Sequence, residues 1–230
     1  MKSVHSARTA LIVIDVQNGF LDPSNWGTER STPESETNIT RLLTAARTHN
    51  ANLPQGGKDV PVLVCHVHHH SVTPSSNFYP EKTIEVEGEA APRRAVDAQP
   101  FAAPGPGETI WVKDVNSAFI GTGLEAFLRA HGVRQLVICG FTTDHCVSTS
   151  TRMAGNLRIV DEVVAGSDDK KTPTTITSEG DIVLVGDACA AYAKGGFDAE
   201  TVHRVTLASL DGEFAQVAAT ADVIGTVFDA

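Results

Sequence analysis

Three ionisable side chains follow apolar segments at widely separated positions of this 230-residue chain. Asp15 ends the run ALIVI, Lys113 ends the run TIWV, and Cys146 comes shortly after the run QLVICGF. A carboxylate next to a thiol can take its proton, and a nearby ammonium offsets the negative charge of the resulting thiolate. If the fold brings them together, the three side chains supply a nucleophile, a base and an electrostatic partner.

Cys146 belongs to a strand, turn and helix pattern. The apolar run 136–139 predicts a buried strand, Gly140 ends it, and the helix-start residues TTD follow. We therefore expect Cys146 in the first helical turn, where the helix dipole lowers the pKa of a thiol. A lone cysteine is more often a small buried hydrophobe, so the reactive interpretation depends on Asp15 and Lys113 as well.

The segments that carry these residues alternate between strand and helix patterns. The predicted strands are 9–14, 60–65, 109–112, 136–139, 182–185 and 223–227, and the predicted helices are 34–49, 123–131, one that starts near Cys146, and 199–218. Because the strands are apolar on both faces, we expect a three-layer αβα fold around a six-stranded, mainly parallel sheet. Reactive groups in such a fold gather at the carboxyl ends of the strands, where Asp15, Lys113 and Cys146 lie.

We interpret residues 1–230 as a single domain with two long connections. Segment 71–108 contains six prolines and no sustained periodicity, which is typical of a functional lid or binding loop. Segment 158–181 is polar and rich in Thr, Gly, Asp and Lys, and we interpret it as a surface insertion that forms a hairpin or a disordered loop. No internal repeat or linker divides the chain.

Composition excludes several classes of partner. The formal net charge of −10 at pH 7 works against binding to a phosphate backbone, so we expect no nucleic acid partner. The longest apolar runs are too short to span a bilayer, and no signal-peptide pattern opens the sequence, so we expect no membrane partner and a cytoplasmic location. The four cysteines lack C-x-x-C spacing, which argues against a disulfide framework or a zinc knuckle.

Four motifs resemble those of the isochorismatase-like cysteine hydrolases, namely DVQNGF from Asp15, VKDVNSAFIGTGLE from Val112, GFTTDHCVSTSTRMA from Gly140 and VGDACAA from Val185. This family includes nicotinamidases, N-carbamoylsarcosine amidohydrolases and related amide and ureido hydrolases. The resemblance covers most of the chain, and the order of the motifs is specific. It implies a Rossmann-like αβα domain that acts on a small molecule as a homo-oligomer, a dimer or a tetramer.

The resemblance also implies a mechanism. Cys146 attacks a carbonyl-type carbon, Asp15 takes the thiol proton and returns it to the leaving group, and Lys113 stabilises the thiolate. Water then releases the thioester or a related intermediate. The family pattern further implies a cis peptide between Phe141 and Thr142, which directs the N–H groups of Thr142 and Cys146 into an oxyanion hole.

Substrate contacts are expected from residues near the strand ends and in the long connection. We expect these contacts from Gln17, Phe20, Phe78, Tyr79 and Phe119. Core packing is an equally good interpretation of Phe119. His145 adjoins the cysteine, but neighbours on a helix point about 100° apart, so we leave it out of the mechanism.

The run from His66 to His70 raises the question of a metal, because imidazole is a common zinc ligand. The nicotinamidase branch binds its metal through an aspartate and two histidines after the second strand. The corresponding stretch here, HVHHHSVTP, has no carboxylate. We therefore expect polar loop histidines, no metal and no cofactor.

Three alternatives stay open at this stage. An isochorismatase that cleaves a vinyl ether is one, although Cys146 favours amide or ureido substrates. A non-catalytic scaffold of the same fold is the second. The third is a redox-sensing thiol protein, for which Cys139 within its strand is a poorly placed resolving cysteine.

Overall fold

Ten strands and six α-helices make up the regular structure of the residues that this computed structural model describes, 1–54, 60–164 and 174–229. The strands are β1 (Thr9–Ile14), β2 (Leu63–His69), β3 (Thr83–Ile84), β4 (Arg93–Arg94), β5 (Thr109–Lys113), β6 (Gln135–Phe141), β7 (Glu162–Val164), β8 (Thr175–Ser178), β9 (Asp181–Ala190) and β10 (Gln216–Ala218). The helices are α1 (Pro23–Trp26), α2 (Ser35–Ala51), α3 (Leu124–Ala130), α4 (Ser148–Asn156), α5 (Ala199–Ala208) and α6 (Thr220–Val223).

Six of these strands form one parallel sheet in the order β10-β9-β6-β1-β2-β5. Alternate residues of β1 enter separate cores on the two faces: Leu11 and Val13 pack with α2, whereas Ile12 and Ile14 pack with α3 and α4. Strands covered on both faces are expected to be apolar throughout, which is the pattern that the sequence shows. The predicted αβα fold with a six-stranded parallel sheet is confirmed.

Strand boundaries differ from the predictions on the β5 side of the sheet. The second strand, predicted at 60–65, begins at Leu63 and continues through His69. β5 forms the edge of the sheet, and Ile110 and Val112 are 52% and 48% exposed rather than buried on both faces. The difference arises because pairing, not local composition, decides where a strand stops and which strand has only one neighbour.

The C-terminal segment corrects two predictions. The helix predicted over 199–218 ends at Ala208, and the chain then reverses through Gly212, which has a φ of 77° that favours glycine, into β10. The strand predicted over 223–227 is also wrong, because α6 and the following π-helical turn Ile224–Phe228 occupy this region. Val223 and Val227 lie four residues apart and are both fully buried, so the valines mark a helical face.

The two long connections have little regular structure. Segment 71–108 contains the two-stranded β3–β4 pair and a short 3-10 helix, Pro100–Ala102. It is tied to the turn after β1, where Gly19 N–H donates to the Ala95 carbonyl. Within 158–181, the exposed strands β7 and β8 pair antiparallel outside the main sheet, and 165–173 lies outside the described residues. No helix in the described ranges is long and apolar enough to cross a membrane.

Gly140 permits the close approach of β6 to β1 beside Asp15. A Cβ atom at this position would lie 2.0 Å from the carbonyl oxygen of Ile14, and the backbone φ is 125°. Neither condition suits an L-residue with a side chain. The expectation that Gly140 ends the strand is wrong, because β6 continues to Phe141 and pairs Gly140 with Ile14. The glycine serves the contact between two central strands.

We expect Gly140→Ala to lower the free energy of unfolding by about 3 kcal/mol or more, which is a fall of roughly 10 °C in Tm. Thermal unfolding followed by circular dichroism measures the change. Gly225→Ala is the matched control, because a Cβ atom there meets nothing within 4 Å in a helical turn. An unchanged Tm for Gly140→Ala would contradict the proposed close approach.

Candidate active site

Three strand ends bring one carboxylate, one ammonium and one thiol together. Asp15 follows β1, Lys113 is the last residue of β5, and Cys146 lies in the π-helical turn Thr143–Val147 after β6. The Lys113 Nζ atom is 2.7 Å from Asp15 Oδ2 and 3.2 Å from Cys146 Sγ. The structure thus places the three residues singled out in the sequence in one cluster.

The ion pair between Asp15 and Lys113 is almost completely buried, with side-chain exposures of 1% and 0%. Lys113 Nζ also lies 3.4 Å from His69 Nδ1 on the strand between them. Asp15 has a left-handed backbone conformation with a φ of 52°, which is uncommon for residues other than glycine. Its second oxygen, Oδ1, has no hydrogen-bond partner within the described structure. One carboxylate oxygen is therefore free of the ammonium and can accept a proton.

The thiol itself has a raised pKa. Burial raises the pKa of Cys146 well above its usual range, the negative charge of Asp15 raises it further, and the ammonium of Lys113 opposes both. The sequence-based expectation of a lowered pKa is wrong for this site, because Cys146 is buried and its thiol lies near a carboxylate as well as a helix start. The raised pKa favours the protonated thiol at neutral pH.

Residues outside the sheet contact the turn that carries Cys146 and hold it in place. The peptide between Phe141 and Thr142 is cis, as the resemblance implies. The next residue, Thr143, bonds through its hydroxyl to Nδ1 of the buried His203 on α5 at 2.8 Å. The other ring nitrogen, Nε2, lies 3.3 Å from the hydroxyl of Thr32. This imidazole links the cysteine turn to α5 and to the segment before α2.

A cavity of about 240 Å³ opens beside the sulfur, lined by Asp15, Phe20, Asn25, Trp26, His69, Ser76, Asn77, Phe78, Asn116, Thr142, His145 and Cys146. Its walls come from the β1 turn, α1, the end of β2, segment 71–108, the β5–α3 connection and the cysteine turn. The Cys146 sulfur therefore faces a small cavity built by parts of the chain that are distant in sequence. A larger cavity of about 430 Å³ lies at the opposite ends of β2 and β5, away from this cluster.

Comparison with known proteins identifies the family. The model of the isochorismatase domain matches residues 9–222. The chain belongs to the isochorismatase family. An uncharacterized family member from Bacillus subtilis, YrdC, is 34% identical over 222 residues, which are 94% of this chain and 95% of that protein. The crystal structure of an isochorismatase-family protein from Chromobacterium violaceum has a TM-score of 0.74 at 31% identity and covers 100% of this chain and 98% of its own.

A more distant relative has a defined reaction in its name. The ureidoacrylate amidohydrolase RutB of Variovorax paradoxus is 27% identical over 172 residues, covering 67% of this chain and 66% of that protein. Together with the preceding matches, it places this isochorismatase-family chain among proteins of similar fold and length. The matches do not concern individual site residues, so the roles of Asp15, Lys113, Cys146 and the Thr142 and Cys146 N–H groups stay predictions.

Of the five expected substrate contacts, the structure places Phe20 and Phe78 in the cavity wall. Gln17, Tyr79 and Phe119 are not among the lining residues. Gln17 is fully buried, and its amide bonds to the backbone of β2 and of segment 71–108, which fixes that segment over the sheet. Phe119 packs in the core beside α3.

Sequence reasoning missed several lining residues, namely Asn25, Trp26, His69, Ser76, Asn77, Asn116 and His145. Trp26 ends the four-residue helix α1, which is too short to show a periodic pattern. Asn77 lies in the long connection, where no periodic pattern indicates an orientation. The one available signal was proximity, since His145 adjoins the cysteine and Asn116 follows Lys113 closely. Neighbouring positions in a turn can face one cavity when the turn is not a regular helix.

The histidine run is mostly part of the sheet. His66, His68 and His69 lie in β2, so the expectation of loop histidines is wrong for them. His66 Nε2 is 2.8 Å from Glu108 Oε2, and the same carboxylate accepts two hydrogen bonds from Arg47 on α2. Within the described residues, no group of three or more His, Cys, Asp or Glu side chains is placed so that it could hold a metal ion. These histidines do not match the aspartate-containing set of the nicotinamidase branch, and the absence of a metal stays a prediction.

We expect Asp15→Asn to accelerate alkylation of Cys146 by iodoacetamide at pH 8. The substitution removes a negative charge that raises the thiol pKa and leaves the Lys113 ammonium beside the sulfur. Each unit by which the pKa falls increases the thiolate fraction about tenfold. Mass spectrometry of tryptic peptides measures labelling, on protein shown to be folded by circular dichroism.

Asp114→Asn is the matched control for this measurement, because it removes the same charge from an exposed side chain next to Lys113. The other three cysteines are 0% exposed, so labelling should concentrate on Cys146. Slower or unchanged alkylation in Asp15→Asn would contradict the electrostatic account of the thiol.

We expect the protein to lose stability as the pH falls from about 6.5 to 4. Burial lowers the pKa of His68 to about 4, and His66 and His70 lower it further in the same direction. In this window the unfolded imidazole binds a proton and the folded one does not, so the free energy of unfolding decreases, by on the order of 3 kcal/mol from His68.

Urea unfolding at pH 7, 5.5 and 4.5 measures this dependence. His68→Gln should flatten this pH dependence. His131→Gln is the control, because it removes a histidine at an exposed position outside this cluster. An equally steep loss of stability in His68→Gln would contradict the assignment.

Proposed function

We propose that this isochorismatase-family protein is a cysteine hydrolase that cleaves a C–N bond in a small amide or ureido substrate. The observation that carries the proposal is the position of Lys113 Nζ, 2.7 Å from Asp15 Oδ2 and 3.2 Å from Cys146 Sγ, beside a cavity. A buried thiol and a buried carboxylate that both contact one buried ammonium are costly to retain without a catalytic use.

The chemistry begins with attack of the Cys146 sulfur on the substrate carbonyl carbon. As the C–S bond forms, the thiol proton passes to Asp15, whose Oδ1 is free to accept it. Lys113 stabilises the sulfur while it carries negative charge. The N–H groups of Thr142 and Cys146 are proposed to stabilise the oxyanion.

Collapse of the tetrahedral intermediate breaks the C–N bond, and Asp15 gives its proton to the leaving nitrogen. A water molecule then attacks the thioester and loses a proton to Asp15. The C–S bond breaks, and Asp15 returns the proton to the Cys146 sulfur. Each proton is accounted for by one carboxylate, so the resting state of Asp15 and Cys146 is restored.

Two observations support an amide or ureido substrate. The cavity of about 240 Å³ is below the roughly 300 Å³ at which drug-sized pockets begin, which suits a small metabolite. The relative RutB is named as an amidohydrolase of ureidoacrylate. A raised thiol pKa also favours a mechanism in which the carboxylate takes the proton during attack.

We further propose that the enzyme works in the cytoplasm as a homodimer or homotetramer, without a metal or cofactor. These proposals rest on the family resemblance. The mechanism above uses only side chains and backbone groups of one chain. Light scattering after size-exclusion chromatography measures the assembly, and dialysis against a chelator tests the metal.

The experiment for the reaction is a panel of isochorismate, nicotinamide, N-carbamoylated amines, biuret and ureidoacrylate. We expect the wild type to release ammonia or another small product from at least one amide or ureido compound, and chelator to change little. Cys146→Ala should lower kcat/KM at least about 10³-fold. Cys65→Ala is the matched control, since this cysteine is in β2 and does not line the cavity.

Each contrary outcome points to a named alternative. Turnover of isochorismate alone would indicate vinyl ether cleavage. Full activity in Cys146→Ala would exclude the cysteine as nucleophile. No turnover of any compound, together with a Cys146 that alkylates like a model thiol, would indicate a non-catalytic scaffold of this fold.

A further inference from the structure

One side of the cavity is an aromatic wall formed by Phe20, Trp26 and Phe78. The ring centroid of Phe20 is 4.7 Å from that of Trp26 and 4.8 Å from that of Phe78, and the last two are 6.0 Å apart. Rings at these distances touch one another and leave no gap between them. The wall is therefore one continuous apolar surface rather than an open cage.

Two polar groups beside this wall, on Trp26 and Asn77, are already bonded within the protein. Trp26 Nε1 donates to the Gly19 carbonyl at 2.9 Å, so the indole offers the cavity only carbon surface. Asn77 Nδ2 donates to Asp22 Oδ2 at 2.8 Å and ties the segment that carries Phe78 to the turn that begins α1. The two loops that supply Trp26 and Phe78 are thus held together beside Phe20.

The two lysines that contact lining residues are also engaged. Lys113 is bonded to Asp15, and Lys194, which lies 3.5 Å from His145, is bonded to Asp144 at 2.5 Å. Within the ranges that the structure describes, Asp15 is the one formally charged residue of the lining, and neither Lys nor Arg contributes to it. Burial and the charge of Lys113 lower the pKa of His69, so its ring is neutral at pH 7.

A carboxylate on the substrate would lose water on entering this cavity and find no free cation. Removing an anion from water without a partner is unfavourable, and the anionic Asp15 adds repulsion. An apolar group of similar shape would gain free energy by covering the aromatic wall. The same cavity therefore distinguishes two substrates that differ only in a terminal methyl or carboxylate group.

On the basis of the proposed hydrolase function, we propose that the enzyme selects uncharged amides or ureas whose compact apolar group packs against Phe20, Trp26 and Phe78. Trp26 is then a specificity-determining residue, because it presents the largest ring of the wall. Carboxylate-bearing analogues, ureidoacrylate among them, are disfavoured. This substrate class differs in charge from the compound in the name of RutB.

Matched substrate pairs test the charge preference. Butyramide and succinamate differ by a terminal methyl against a carboxylate, as do N-propylurea and 3-ureidopropionate. We expect kcat/KM to be at least about tenfold higher for the uncharged member of whichever pair is hydrolysed. Equal or faster hydrolysis of the anionic member would overturn the proposal.

Two variants test the residues behind the preference. Asn25→Lys adds an ammonium to the exposed rim of the cavity and should reduce the preference for the uncharged member about tenfold. Asn156→Lys, at the exposed end of α4, adds the same charge outside the lining and should leave the preference unchanged. Trp26→Ala should raise KM for the uncharged member more than it lowers kcat. Identical preferences in wild type and Asn25→Lys would count against the proposal.

Binding to Cys146→Ala separates this proposal from the reaction itself. Calorimetry with butyramide, succinamate, N-propylurea and 3-ureidopropionate measures affinity without turnover. Tighter binding of the uncharged members supports the selectivity even if the wild type hydrolyses none of them, a result that would reject only the hydrolase proposal. Equal binding of both members, or binding of neither, overturns the selectivity.

Discussion

The buried ion pair between Asp15 and Lys113 is the interaction on which the rest of the site depends. Two charges without solvent exposure are stable only when each satisfies the other at close range, here 2.7 Å. The two charges also act on the Cys146 thiol in opposite directions. The Asp15 carboxylate raises the thiol pKa, and the Lys113 ammonium lowers it. The thiol is kept protonated beside a base that can take its proton when a carbonyl carbon arrives.

The sheet makes this pair possible through strand order. β2 lies between β1 and β5, so the ends that carry Asp15 and Lys113 are about 10 Å apart at two strand spacings. A lysine at the end of the edge strand has a stem long enough to cross β2, and it passes His69, whose Nδ1 is 3.4 Å from Nζ. The parallel arrangement then brings the cysteine turn after β6 to the same edge.

The chamber in front of the sulfur has a different origin. Its aromatic wall and its asparagines come from segments with little regular structure, which are fixed to the sheet by buried hydrogen bonds such as those of Gln17. Loops on a rigid scaffold commonly carry specificity, because they can change without disturbing the core. In the proposed reaction, residues at and just after strand ends provide the reacting groups, and the connections provide most of the shape of the cavity.

The sequence by itself determined the parallel αβα fold, the strands that carry Asp15 and Lys113, and the turn with Cys146, because apolar runs and their polar ends are local patterns. Only the tertiary structure decided that His66 and His68 belong to β2, that the valines near Val223 form a helix, and that Trp26 lines the cavity while Gln17 does not. It also decided that the thiol pKa is raised. These properties arise from contacts between residues far apart in the chain, and no local pattern encodes which surface a side chain will meet.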